Sequence, residues 1–266
     1  MESLQGVSNT LFIPLAARVF ASKKIPEYFY DEKSLSMEKY IPGDRIQKKS
    51  SEYSFMASVA RYYNMDHIVQ SFIAKHQKGN IVYLGAGLDT ASYRLHNHSA
   101  LFYAVDLPEV IDLRRSILGE QENERLVSGD IDDTVWIHTL NKAFPSLLVA
   151  SGVFQYFTED RVMRLITNIK TNLKDVELLF DAANETGIKY ANRYVKKTGN
   201  ANALMHFYIN DGIDFARKTG TVLLEERVFF TDARRILAKK LGLYTRIAMR
   251  VVDDKKRAII IHLKIN

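Results

Sequence analysis

Between residues 80 and 181, short apolar runs alternate with amphipathic segments. The runs Ile81–Leu84, Leu101–Val105, Arg125–Gly129, Leu147–Ala150 and Val176–Phe180 are rich in β-branched, aromatic or leucine side chains. Their length and composition predict strands buried in a parallel sheet. Between them, Val110, Ile111, Leu113, Ile117 and Leu118 recur at helical spacing, as do Val162, Leu165, Ile166 and Ile169. Pro108 suits a first helical position. Thr158 suits an N-cap, with Glu159 and Asp160 placed to complement the helix dipole. Residues 133–143, which carry Trp136, predict a further helix. Strand and helix in alternation predict an α/β fold, a mostly parallel sheet with helices on both faces and right-handed crossovers.

The flanks follow other patterns. Leu11, Leu15, Val19 and Phe20 predict an amphipathic helix over residues 10–30. Residues 31–49 are polar, carry the turn signal Pro42-Gly43, and read as a mobile segment. Ser51–Lys75 predicts a long helix that bends near Asn64-Met65-Asp66. Residues 184–228 break the alternation and read as a helical insertion. Thr231–Leu241 predicts a helix. Residues 244–252 and 257–264 predict two strands joined at Asp253-Asp254-Lys255-Lys256 as an antiparallel hairpin.

Composition narrows the class. A chain of 266 residues suits one α/β domain with an elaboration, and 47% hydrophobic residues exclude global disorder. The absence of cysteine excludes disulfides, thiolate metal sites and a cysteine nucleophile. No apolar run approaches the length of a membrane span. Residues 1–9 have no basic region ahead of an apolar core, and Pro14 and Arg18 interrupt residues 11–20, so no signal peptide is predicted. A soluble cytoplasmic protein is expected. The net charge of +6 comes as scattered doublets such as Lys23-Lys24, Lys48-Lys49, Lys196-Lys197 and Arg234-Arg235. Such doublets suit a solvated surface or an anionic partner such as RNA. No aromatic-interleaved motif accompanies them, so nucleic acid is not expected as a partner. The 7 histidines lack metal-ligand spacing, His96 with His98 reads as a polar turn, and no metal is expected.

Candidate chemistry gathers at one edge of the predicted sheet. Gly85, Asp106, Asp130, Ser151 and Asp181 all fall at the carboxyl ends of strands, where ligands bind in such folds. The loop Gly85-Ala86-Gly87 follows the first strand. Asp106 ends the second, where a carboxylate can accept both hydroxyls of a ribose. A dinucleotide fingerprint would place a third glycine at position 90, which is Thr90. No glycine-rich Lys-Ser/Thr phosphate loop is present, which argues against ATP or GTP hydrolysis. A nucleoside-binding unit follows. Arg61, inside an apolar-rich helix, could snorkel, hold a structural carboxylate or bind a ligand acid.

Leu84-Gly-Ala-Gly-Leu-Asp-Thr90, Tyr93-Arg94-Leu95 and Val105-Asp-Leu-Pro-Glu-Val110 together resemble the leucine carboxyl methyltransferase family, which includes polyketide O-methyltransferases of the tetracenomycin type. The resemblance extends to Gly129-Asp130, Ser151–Phe157, and Arg61 with Asp66, and covers about residues 50–182. It implies a class I methyltransferase fold with a seven-stranded sheet, and S-adenosylmethionine as cofactor. It further implies Arg61 on the methionine carboxylate, Gly85, Ala86 and Gly87 against the methionyl part, and Asp106 on the ribose. Asp130 would take the adenine amino group, with Leu107 and Ile131 on the ring faces. Asp130 could instead cap a helix beside Asp132 and Asp133, and Asp89 and Thr90 could cap the helix after the loop. Relatives commonly carry glutamate where this chain has Ser151. That departure leaves open an altered cofactor contact, a different acceptor or binding without turnover.

On this reading residues 1–266 form one domain: an N-terminal helical cap (1–78), a nucleoside-binding core (79–183), a helical lid (184–228), and a C-terminal helix and hairpin (229–266). The expected reaction is O-methylation of a carboxyl or hydroxyl group on a small or medium organic acceptor. A carboxylate needs no general base, whereas a hydroxyl does. Tyr156 and His206 are the candidates for that role, although each also suits a plain packing or surface residue. The alternatives are a cofactor-binding module without turnover and an NAD-dependent oxidoreductase. Thr90 and the expected terminal hairpin argue against the oxidoreductase.

Overall fold

In the computed structural model, residues 8–42, 50–95, 99–197 and 204–265 are described. Gly43, Lys48-Lys49, His96 and His98 lie outside them, as does most of the N-terminal stretch considered for a signal peptide. The chain runs through α1 (Ser8–Lys24), α2 (Glu32–Ser36), a 3₁₀ turn (Glu38–Tyr40) and α3 (Glu52–Lys75) before reaching the sheet. There follow β1 (Gly79–Leu84), α4 (Ala91–Arg94), β2 (Ala100–Asp106), α5 (Pro108–Leu118) and β3 (Glu124–Ser128). Next come α6 (Val135–Thr139), β4 (Ser146–Ala150), a 3₁₀ turn (Phe154–Tyr156), α7 (Glu159–Asn172) and β5 (Val176–Ala183). The rest comprises α8 (Glu185–Lys197), α9 (Gly212–Thr219), β6 (Val222–Val228), α10 (Thr231–Ile236), α11 (Leu243–Asp254) and β7 (Ala258–Ile265).

The sheet has 7 strands in the order β3-β2-β1-β4-β5-β7-β6. The first five are parallel, while β7 runs antiparallel to both β5 and β6. Successive side chains of a strand point to opposite faces, and both faces here are covered. Ile81, Tyr83, Leu147, Val149 and Leu179 therefore enter one core with α1 and α3. Val82, Leu84, Leu148, Ala150 and Phe180 enter a second core with Trp136 and α7. This double burial explains the unbroken apolar runs. Pro108 opens α5, and the Thr158 side chain caps α7, as the local chemistry predicts.

Four expectations need correction. Residues 244–252 form most of a helix, α11, not a strand, and Asp253–Lys256 ends that helix rather than turning a hairpin. The antiparallel partner of β7 is β6, drawn from within the segment read as a helical insertion. The long helix α3 is continuous through Asn64, whose amide donates to the Ala60 carbonyl at 2.7 Å and the Phe229 carbonyl at 2.9 Å. The polar stretch after α1 is in part tightly packed: Asp31 and Ser34 are buried, and Asp31 caps α2. Among the described residues no helix is long and apolar enough to cross a membrane, and no His/Cys/Asp/Glu group could hold a metal ion.

Candidate active site

A cavity of about 860 Å³ opens at the carboxyl ends of β1, β4 and β5. Its floor is the turn after β1. Gly85 has φ +67°, and a Cβ there would stand 2.7 Å from Val153 Cγ2, so the backbone conformation and the space both require glycine. Buried arginines hold the carbonyls of this turn from the protein side. Arg18 Nη2 donates to Leu88 O at 2.7 Å. Arg114 Nη1 donates to Gly87 O at 3.1 Å and Asp89 O at 2.5 Å, while its Nη2 pairs with Glu124 at 2.6 Å. The loop is thus fixed by charge-assisted bonds rather than left pliable.

Behind the loop lies an ionic network. Arg18 and Arg94 both reach Asp31, at 3.1 and 3.3 Å. Arg94 also grips Asp66 with two bonds, 2.7 and 2.9 Å. Burial opposes ionisation of Asp31, but Arg94 and Arg18 outweigh it and hold its carboxyl below the usual range. Burial wins at Asp66 and pushes its carboxyl up despite Arg94. Asp89 Oδ1 accepts from Ala91 N at 2.9 Å, the capping role open to it, whereas Thr90 Oγ1 donates to Asp31 at 2.5 Å instead of capping.

Arg61 projects from α3 into the cavity wall. Burial disfavours its charge, but Asp181 at 3.3 Å more than compensates and raises the guanidinium's affinity for its proton. Asp181 also accepts from Gly152 N at 2.5 Å. Gly152 has φ +72°, and a Cβ there would meet Arg61 Nη1 at 2.7 Å. Only glycine lets β4's following turn pass under the guanidinium. Asp181 and Gly152 were not singled out as binding residues by sequence reasoning. The signal available was their position, at and just after strand ends.

Of the predicted residues, Arg61, Gly85, Ala86, Gly87, Ser151 and Tyr156 line the cavity together. Asp106, Leu107, Asp130, Ile131 and His206 do not line it. Asp106 stands directly behind the loop, accepting from Gly87 N at 2.7 Å and Leu107 N at 2.8 Å. Burial pushes its carboxyl up, against the pull of those two N–H bonds. Leu107 is half-exposed beside it. Asp130 Oδ1 accepts from Asp132 N at 3.0 Å and from Arg161 Nη2 at 2.9 Å. Ile131 is buried, its carbonyl tied to Trp136 Nε1 at 3.1 Å. His206 is exposed, its backbone N–H bonded to Gln155 O at 2.7 Å.

The family model described as leucine carboxyl methyltransferase matches residues 2–170. The chain belongs to the leucine carboxyl methyltransferase family. A curated member-like sequence, the tetracenomycin polyketide synthesis O-methyltransferase TcmP of Streptomyces glaucescens, is 25% identical over 191 residues, 71% of this chain and 70% of that protein. The S-adenosyl-L-methionine-dependent methyltransferase dpfgK of Gibberella zeae is 28% identical over 200 residues, 68% and 67% of the two chains. Among solved structures, a DUF574 family protein of Streptomyces avermitilis superposes with TM-score 0.58 at 14% identity, covering 94% of this chain and 97% of that one. Magnesium protoporphyrin IX methyltransferase (ChlM) of Synechocystis PCC 6803, solved with bound SAH, gives TM-score 0.51 at 12% identity, covering 96% and 100%. These two likenesses concern the fold.

This leucine carboxyl methyltransferase family member is thus an S-adenosylmethionine-dependent methyltransferase with the seven-stranded, mostly parallel sheet of that class. The cavity suits the cofactor chemically. Among the described residues, 11 buried side-chain polar atoms lack a hydrogen-bond partner, and 5 of them belong to cavity-lining residues: Ser58, Arg61, Tyr83, Ser151 and Arg257. Buried polar groups are ordinarily satisfied, so this clustering marks a place where a polar ligand completes the bonding. A carboxylate, an ammonium and hydroxyls are the groups that Arg61, Ser58, Tyr83 and Ser151 can bond.

Proposed function

We propose that this protein is an O-methyltransferase that acts on a carboxyl or hydroxyl group of a small or medium organic acceptor. The observation that carries the reading is the mixed lining of the cavity. Arg61, Asp181, Ser151 and the glycine loop line it together with Tyr156, Tyr190, Met205 and Tyr244. The polar groups suit a charged donor, and the aromatic side chains suit an organic acceptor. The kinship with TcmP, named as an O-methyltransferase of polyketide synthesis, supports oxygen as the accepting atom.

In this reading Arg61 holds the methionine carboxylate of the cofactor with its guanidinium fork, which Asp181 keeps in orientation. Asp106 takes the ribose hydroxyls. Asp130, with Leu107 and Ile131, serves the adenine. When bound, S-adenosylmethionine supplies an electrophilic methyl group on a sulfonium. The chain's own part is to align the acceptor and exclude water. A carboxylate acceptor needs no base from the protein. For a hydroxyl acceptor, this reading assigns the proton relay to Tyr156, one of several phenols that line the cavity. His206, the other candidate, is exposed and lies outside the cavity lining. The carboxylate at the level of Ser151 is Asp181, one position past the Ala150–Phe180 pair on the next strand.

The test is a methyl-transfer screen with S-adenosylmethionine against a panel of aromatic acids and phenols, read by mass spectrometry. Methyl esters or ethers formed with matching S-adenosylhomocysteine are expected. Cofactor binding with no product across the panel would favour the module without turnover.

A further inference from the structure

Three arginines line the cavity, and Arg18 and Arg61 are paired with Asp31 and Asp181, whereas the third, Arg257, has no part in the proposed donor binding. Arg257 lies just ahead of β7 and lines the cavity wall. Its Nε is buried without a partner, and among the described residues its guanidinium has no ion pair. The carboxylates nearest in sequence are engaged elsewhere: Asp253 takes Arg234 at 3.3 Å, and Asp254 takes Arg250 at 3.4 Å. The guanidinium instead stacks over the Tyr190 ring, 4.8 Å from its centroid. It also acts on Tyr53, where burial raises the phenol's pKa to about 12 and the arginine's charge opposes that rise. Tyr53 is therefore a neutral phenol at pH 7 and does not balance the charge.

The position separates this cation from the donor end. In the β5–β7 pairing Asp181 stands opposite Ile260, and Ala183 opposite Ala258. Arg257 lies three residues before Ile260, on the order of 10 Å along the strand from the level of Asp181 and Arg61. The surroundings are apolar and aromatic. Tyr244, Ile247 and Val251 of α11 line the cavity and are 74%, 55% and 39% exposed, and Tyr190 is 52% exposed. A helix that shows these side chains to a cavity, ending beside an unpaired cation, matches a flat apolar ligand with one negative group.

We propose that Arg257 anchors the acceptor, and that the acceptor is an aromatic carboxylic acid whose ring system lies against Tyr190, Tyr244 and the exposed face of α11. This rests on the methyltransferase reading of the cavity. The guanidinium binds a carboxylate through two parallel N–H bonds while its face remains stacked on Tyr190. Arg257 selects the acceptor by charge, and the aromatic wall selects it by shape.

The test uses 2-naphthoate and its neutral counterpart 2-naphthamide as probes, titrated calorimetrically with and without saturating S-adenosylhomocysteine. The wild-type protein is expected to bind the acid at least about tenfold tighter than the amide, as befits a charge-assisted pair. Arg257→Gln should remove that preference, Arg257→Lys should retain part of it, and Arg61→Gln should leave it intact. If Arg257→Gln does not fold, Arg257→Lys carries the test by weakening the acid and sparing the amide. Undetectable binding of the acid, equal binding of acid and amide, or a preference that survives Arg257→Gln would overturn the proposal. Failure of S-adenosylhomocysteine to bind the wild type would instead strike the methyltransferase reading, because the acid preference is also measured in its absence.

Discussion

Arg61 and Asp181, 120 residues apart in sequence, meet at 3.3 Å in the cavity wall, and Asp181 simultaneously takes the Gly152 N–H. The pair joins the N-terminal helix α3 to the end of β5. It also leaves Arg61 Nε buried without a partner. Arg61→Ala should therefore weaken S-adenosylhomocysteine by more than about tenfold, through loss of a charge-assisted bond. Adenosine, which lacks the carboxylate, should bind nearly as before. Calorimetry with both ligands reads the difference, and equal losses would make Arg61 a structural residue.

Asp106 has two duties, the Gly87 and Leu107 N–H groups on one side and, in the proposed function, the ribose on the other. Asp106→Ala should cost about 1.5–3 kcal/mol of cofactor affinity. Burial raises this carboxyl's pKa, so its charge is lost at a higher pH than for an ordinary aspartate. Cofactor affinity should accordingly start to fall, on acidification, before the usual carboxylate range is reached. Dissociation constants measured at descending pH, for wild type and Asp106→Asn, test this. An identical pH profile for both would remove Asp106 from the ribose.

Ser151 offers a sharper separation of binding from stability. Its Oγ is buried and makes no hydrogen bond among the described residues. Ser151→Ala should leave the melting temperature unchanged or slightly higher, since no bond is lost and an unsatisfied group is removed. S-adenosylhomocysteine affinity should nonetheless drop severalfold. Thermal melts with and without the ligand distinguish the two effects, and an unchanged ligand-induced shift would show that Ser151 does not touch the cofactor.

The Asp31 network should dominate acid unfolding. Asp31 has a folded pKa below its unfolded value, so the unfolded chain holds more protons between the two values, and stability there rises with pH. Its contribution is present above the ordinary aspartate pKa and is lost as pH falls through the lower folded value. Asp31→Asn should cost about 3–5 kcal/mol near neutrality, since Arg18 and Arg94 each lose a buried partner. Denaturant titrations at falling pH should show that gap closing below about pH 4.

The parallel half of the fold was legible because its strands are buried on both faces, which writes an unbroken apolar run into Leu147–Ala150 and its neighbours. The C-terminal third was less so, for two reasons. Helix α11 buries Thr245, Met249 and Val252 on one side while showing Leu243, Tyr244, Ile247 and Val251 on the other. With apolar residues on both faces, many of them β-branched or aromatic, the helical period is masked and a strand is suggested. Strand β6 carries Glu225, Glu226 and Arg227 at the sheet's rim and so lacks an alternating signature. Within the site, the glycine loop could be read locally, whereas Arg61 stood out only as an arginine in an apolar-rich helix and drew its role from the family resemblance. The Arg61–Asp181 pair and the Arg18 and Arg114 clamps could not, because they join stretches tens of residues apart with no spacing rule between them.

The place of β7 inside the sheet, between β5 and β6, carries a cost during synthesis. Strand β6 leaves the ribosome with its neighbour not yet made, and the long edge of β5 stays open with it. Both rows of unpaired N–H and C=O groups wait for residues 258–265, and an open edge is an invitation to intermolecular pairing. The nascent chain should therefore be most prone to aggregate, and most dependent on chaperones, in the interval before its final strand emerges.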